Sequence, residues 1–153
     1  MTDTVAPLPT ARRARTEDLE GLLALQRYLS RDDHVLPDVE ARRIWARIED
    51  SPGISVFVAD HDGRPVSTCT LIVVPNFGLG GRPLAFIEFV ATLPDHQGRG
   101  FGRAVIAAAL DEAWSQQCYK VMLMTGAGTP AVDFYRSLGF EAGGKTGLEI
   151  RRL

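Results

Sequence analysis

Apolar positions recur along this chain in two periods, and the switch between them divides it. Leu19, Leu22, Leu23 and Leu29 keep helical spacing. Thr16, followed by Glu17 and Asp18, supplies a hydroxyl cap and first-turn acids, so a helix is expected from there to about Ser30. Arg31–His34 is a polar connector. Asp38 is placed to cap a second helix, whose stripe is Ala41, Ile44, Trp45 and Ile48. Ser51-Pro52-Gly53 closes it. Upstream, Thr10–Ala14 suits a short first strand, and Met1–Pro9 is expected to be a disordered tail.

Strand spacing then takes over. Ile54–Ala59 and Val66–Val74 are β-branched runs joined by a hairpin turn at Asp60–Gly63. Pro75–Pro83 reads as an exposed loop and Leu84–Thr92 as the next strand. Ile106, Ala109, Leu110 and Ala113 mark a third helix. Lys120–Thr125 is a compact strand, and Gly126–Gly128 is a break. Thr129-Pro130 opens a last helix that Leu138-Gly139 ends. Thr146, Leu148 and Ile150 alternate with polar positions, which predicts a final half-exposed strand. The order β-α-α-β-β-β-α-β-α-β-β describes one mixed α/β domain over residues 1–153, with no internal repeat.

Between the Leu84–Thr92 strand and the third helix lies Pro94-Asp95-His96-Gln97-Gly98-Arg99-Gly100-Phe101-Gly102-Arg103. Glycine at every second position removes the Cβ atoms that would hold a ligand off the backbone, and it reaches positive φ cheaply. A helix starting there presents unpaired N–H groups at its positive end, which favours an anion. Arg99 and Arg103 add cations. A phosphate or pyrophosphate is the expected ligand, against the alternative of a mere connecting turn. The spacing fits neither a dinucleotide fingerprint, whose third glycine stands three residues after the second, nor a Walker loop, which ends in Gly-Lys-Ser/Thr.

Composition narrows the classes further. At 153 residues and 45% hydrophobic, the chain can bury a sizeable core, and a net charge of −2 gives no nucleic-acid footprint. Arg12, Arg13 and Arg15 are a small solvated cluster. Cys69 and Cys118 lie far apart in apolar runs, which points to reduced thiols in a cytoplasmic protein. No apolar run is long enough for a membrane span, and none resembles a signal peptide. His34, His61 and His96 have no metal-ligand spacing, so no metal site is expected.

Gln97-Gly-Arg-Gly100-Phe-Gly102 resembles the Gln/Arg-x-x-Gly-x-Gly/Ala signature of the GNAT superfamily of acyl-CoA-dependent N-acetyltransferases. Ala131-Val-Asp-Phe134-Tyr135-Arg-Ser-Leu-Gly139-Phe140 is similar to that family's Ala-x-x-Phe-Tyr-x-x-x-Gly-Phe segment, in the family's order and separation. The resemblance is dense from Ile54 to Phe140. It implies a mostly antiparallel central sheet of six to seven strands flanked by about four helices. It also implies acetyl-CoA as the cofactor, held by Gln97, Gly98, Arg99, Gly100, Gly102 and Arg103. Backbone groups of Val90 and Thr92 would serve the thioester carbonyl and the pantetheine arm. Dimers are common in the family, so a homodimer is an implied partner.

Acyl transfer from a thioester needs an amine that loses a proton, donors for the oxyanion and an acid for the departing thiolate. The resemblance places the acid at Tyr135; the alternative is a packed core tyrosine among Val132, Phe134 and Leu138. Glu88 is the lone charge in an apolar strand and is the candidate base, with a structural ion pair or an edge residue as the alternative. Alternation groups Glu88 with Val90 and Thr92 on one face.

Ile87-Glu88 and Cys118-Tyr119-Lys120-Val121-Met122-Leu123 also resemble the glucosamine-6-phosphate N-acetyltransferase branch. Phe89, Met124 and Gly128 depart from residues usual in the family. The acceptor is therefore left as a small-molecule amine. Transfer to a protein or peptide amine, or an acyl-CoA-binding sensor with little turnover, are the rival readings.

Overall fold

The computed structural model describes residues 7–30, 36–126, 128 and 130–152. The expectations for Met1–Ala6, for the Arg31–His34 connector and for capping by Thr129 lie outside these residues. Packing divides the chain into two compact units, Met1–Met122 and Leu123–Leu153.

The first unit carries β1 (Ala11–Arg13), α1 (Leu19–Leu29), α2 (Asp38–Glu49), β2 (Ile54–His61) and β3 (Arg64–Val74). After these come α3 (Gly78–Gly81), β4 (Leu84–Thr92), α4 (Phe101–Ser115) and β5 (Val121–Met122). The strands form one sheet in the order β1-β2-β3-β4-β5. The first four pair antiparallel, and β5 runs parallel to β4 through Ala85↔Val121 and Phe86↔Met122. The second unit carries α5 (Ala131–Ser137).

Five strands replace the expected six to seven. Residues 146–151 form no strand, and Leu148 and Ile150 are 90% and 98% exposed. Alternation specifies a face only where a neighbouring strand and a core are there to bury it. β5 is likewise two residues long where six were expected, because only Val121 and Met122 reach the ladder. A fifth helix appears inside the expected Pro75–Pro83 loop. It is one turn, α3, with Leu79 and Gly80 in the left-handed region.

Helix starts also differ in detail. Thr16 makes no capping bond. A 3-10 turn over Thr16–Asp18 precedes α1, and the Arg15 N–H donates to Asp18 Oδ2 at 2.7 Å. The Thr16 hydroxyl instead accepts from Trp45 Nε1 at 3.2 Å, tying the start of α1 to α2. Pro37 is the N-cap of α2, and Asp38 falls inside its first turn, where an acid still complements the helix dipole. The hairpin turn is tighter than expected: β2 and β3 run to His61 and from Arg64. Only Asp62 and Gly63 stand between them, both at positive φ, which matches the twist of the strands.

Helices cover both faces of the sheet. Thr68 and Thr70 of β3 look toward α1 and α2, whereas Cys69 looks toward α4, where its S–H donates to the Val105 carbonyl at 3.2 Å. Leu71, Ile87, Val105 and Ile106 are fully buried, each contributing roughly 1.5–3 kcal/mol of transfer free energy. At the sheet's outer side Arg12 grips two carboxylates. Its guanidinium reaches Asp18 through bonds of 2.8 and 2.9 Å and Asp60 Oδ2 through bonds of 3.0 and 2.8 Å. Arg12 thus fastens β1 to β2 and to the start of α1. The arginine cluster is not simply a solvated face.

Candidate functional site

The site is organised by an irregularity in β4. Thr70 pairs with Glu88 and Thr68 pairs with Ala91, so one residue of β3, Cys69, stands opposite two of β4, Phe89 and Val90. This is a β-bulge, and Phe89 enters it at φ 51°. A left-handed conformation costs a bulky residue about 1–2 kcal/mol, which the surrounding ladder must offset.

The bulge reverses the alternation read from the sequence. Thr68 and Thr70 share a face of β3, so their partners Ala91 and Glu88 share that face too. Thr92 falls on the opposite side, where its hydroxyl meets that of Ser67 at 2.8 Å. Glu88 is thus not grouped with Thr92, because the extra residue between them shifts the pleat by one. Glu88 is half-buried, and among the described residues it has no ion pair and no side-chain hydrogen bond. A structural salt bridge does not explain it.

Beyond β4 the chain makes a 3-10 turn over Pro94–His96 and enters α4 through the glycine loop. Gly98 and Gly100 take φ of 71° and 89°, the region the alternating glycines were expected to supply. Among the described residues no backbone carbonyl accepts the amides of Gly98, Arg99, Gly100, Phe101 or Gly102. Nothing lies within 4 Å of a Cβ placed at Gly98, so space opens in front of the loop. On the other side Pro9 packs close, its Cδ 3.3 Å from a Cβ placed at Gly100. Arg99 and Arg103 are both exposed beside the amides, and Arg99 lies 5.5 Å over the Phe101 ring. This end of α4 can hold an anion, and a diphosphate fits its donors and its charge.

Gln97 does something else. Its side-chain N–H donates to the Thr92 carbonyl at 3.1 Å and to the Tyr28 hydroxyl at 3.0 Å. It clamps the loop to the end of β4 and to α1. Under the loop, His96 packs edge-on against His61 and Phe101 at 5.0 and 5.6 Å, with its Nδ1 buried and unpartnered among the described residues. Neither Tyr28 nor the His61–His96 contact is marked by any local motif.

On the face that Glu88 shares, a cavity of about 510 Å³ opens between α1, α2 and strands β2 to β4. Thr70, the cross-strand partner of Glu88, lines it, as does Phe89. In the second unit Tyr135 is buried, its ring edge-on to Phe134 at 5.1 Å and to Phe140 at 5.9 Å. Gly139, at φ 94°, ends α5, and the Phe140 N–H returns to the Tyr135 carbonyl at 3.1 Å. Among the described residues no group of His, Cys, Asp and Glu could hold a metal ion, and no helix is long and apolar enough to cross a membrane.

Residues 18–140 match the acetyltransferase (GNAT) family. The chain belongs to that family. Both motifs lie within the matched span. A protein with a solved structure, described as a putative acetyltransferase from Agrobacterium tumefaciens, is 46% identical. It superposes with a TM-score of 0.89 over 94% of this chain and 99% of its own. An acetyltransferase of Trypanosoma brucei is 30% identical, with a TM-score of 0.83 over the same shares. The glucosamine 6-phosphate N-acetyltransferase of Trypanosoma brucei brucei is 37% identical over 87 residues, 57% of this chain. The chain spans 58% of that relative's length, and 21%, 60% and 28% of three other curated relatives it matches.

Proposed function

We propose that this GNAT protein moves the acetyl group of acetyl-CoA onto the nitrogen of a small-molecule amine, with both substrates held at once. The observation that carries the reading is the row of unbonded amides from Gly98 to Gly102, at the head of α4 and beside Arg99 and Arg103. These groups would bind the cofactor's diphosphate, and Gln97 would hold the loop in place. When bound, acetyl-CoA supplies the acetyl group as an activated thioester.

Glu88 is assigned the proton of the attacking amine. An unpaired carboxylate on the cavity face of β4 is placed to attract an ammonium group and to take its proton. The backbone of Val90, at the bulge, and that of Thr92 are assigned to the thioester carbonyl and the pantetheine arm. Tyr135 is assigned the return of a proton to sulfur, on the family resemblance.

The test is Gly100→Asp. A carboxylate there adds negative charge beside the phosphates, and its Cβ strains a φ of 89° against Pro9. Coenzyme A affinity measured by calorimetry should fall by at least about 100-fold. Unchanged affinity in a folded variant would overturn the proposal.

A further inference from the structure

We infer that the acceptor is an amine with an apolar body, an alkylamine or arylalkylamine, and that this body fills the cavity between α1, α2 and the sheet. The inference rests on the acetyl-transfer reading above and adds the chemistry of its second substrate.

α1 makes the first argument. It is eleven residues long and carries leucine at five of them, yet only Leu25 is buried. Leu22 and Leu23 are half-covered and Leu29 is 45% exposed, all three on the cavity wall. A helix with so much apolar surface ordinarily packs it away. Here α2 stands across the gap with Ile44 and Trp45, and Phe89 looks in from the bulge. The strain at Phe89 and the exposure of 53% that goes with it give this ring to the cavity instead of the core.

Volume and polarity make the second. About 510 Å³ lies within the usual range of roughly 300–1,000 Å³ for small-molecule sites. The described polar groups on the wall are few. The Thr68 hydroxyl is already committed to the Phe57 carbonyl at 2.9 Å. Arg27 and Asp38 are the described charged lining residues, of opposite sign, and Arg27 Nε donates to the Leu23 carbonyl at 3.2 Å. A phosphorylated, hydroxylated sugar would lose the water around each hydroxyl and find one guanidinium opposed by a carboxylate. An aliphatic or aromatic body loses nothing of that kind. Glu88, cross-strand from the lining residue Thr70, is the carboxylate that β4 offers on this face for the ammonium end.

The experiment uses the full chain with acetyl-CoA and a panel of free amines, reading released thiol. The panel is n-propylamine to n-octylamine, phenethylamine and glucosamine 6-phosphate. The kcat/KM for n-alkylamines should rise about three- to four-fold per methylene until the cavity is full. Leu23→Trp, which fills the cavity, should lower the value for the longest good substrate at least ten-fold and leave coenzyme A affinity unchanged. Binding is read separately, without turnover, in a Trp114→Phe background where Trp45 is the one remaining tryptophan. Phenethylamine should change its emission saturably, and Leu23→Gln should weaken that binding.

A preference for glucosamine 6-phosphate, or rates indifferent to chain length, would overturn the inference and leave acetyl transfer standing. Loss of thiol release with every amine would instead strike the acetyl-transfer reading. The Trp45 titration then still decides the cavity's ligand, and no saturable change with phenethylamine would overturn the inference on its own.

Discussion

Glu88 stands directly across the β3–β4 ladder from Thr70, at the last regular pair before the strand slips by one residue. The two therefore share the cavity face of the sheet, and among the described residues the carboxylate has no ion pair. Glu88→Gln keeps the shape and removes the base. It should lower kcat by about 10²–10⁴-fold with coenzyme A affinity unchanged, measured by thiol release and calorimetry. A rate within two-fold of wild type would remove Glu88 from the mechanism.

Tyr135→Phe deletes one hydroxyl from a ring that keeps its edge contacts with Phe134 and Phe140. A thiolate is a fair leaving group, so losing its acid should cost toward the lower end of acid–base effects, about 10- to 100-fold in kcat. Coenzyme A affinity should hold. An unaltered rate would make Tyr135 a packing residue only.

How much of this was legible beforehand differs by feature. Local chemistry read well: the glycines at 98 and 100, the Asp62-Gly63 turn and the Leu138-Gly139 helix end all depend on a backbone preference that one or two residues express, whereas Gly102 lies inside α4 and outside the positive-φ region. Features that depend on a partner across the sheet did not. Nothing within Leu84–Thr92 marks the slip at Phe89, because a bulge is a mismatch between two strands. The alternation at Thr146–Ile150 is as regular as that of a true strand, yet no ladder forms there. Glu88 and the loop were visible as candidates, whereas the Tyr28–Gln97 bond and the cavity arise only when distant segments meet.

Asp18 should make stability depend on acid. The Arg12 guanidinium, chiefly, with help from the Arg15 N–H, holds its carboxyl below the usual carboxylate range despite the burial that opposes this. A lowered folded-state pKa stabilises the fold above the unfolded value, near ~3.9, and that contribution is lost as pH falls through the folded value. Asp18→Asn should cost about 1–3 kcal/mol at pH 7 by urea unfolding. The gap from wild type should close below about pH 4. A gap that stayed constant with pH would show that Arg12 does not govern this carboxyl.

Neither cysteine should react while the protein is folded. Burial pushes the Cys69 thiol up to about 12, and burial is also the main cause of the upward shift at Cys118. With thiolate so scarce at pH 8, Ellman's reagent should find no thiol in the native protein and two after denaturation. One fast-reacting native thiol would contradict this. A silent protein also lets thiol release be read without a background from its own side chains.

The slip at Phe89 leaves β4 one residue longer than the stretch of β3 it faces. Exchanging that ring for another residue keeps the extra length. Deleting it would set Val90 alone opposite Cys69, with Glu88 still across from Thr70 and Thr92 still across from Ser67. Loss of this one codon should therefore leave both faces of the sheet as they are and remove only the irregularity that turns an aromatic ring toward the cavity.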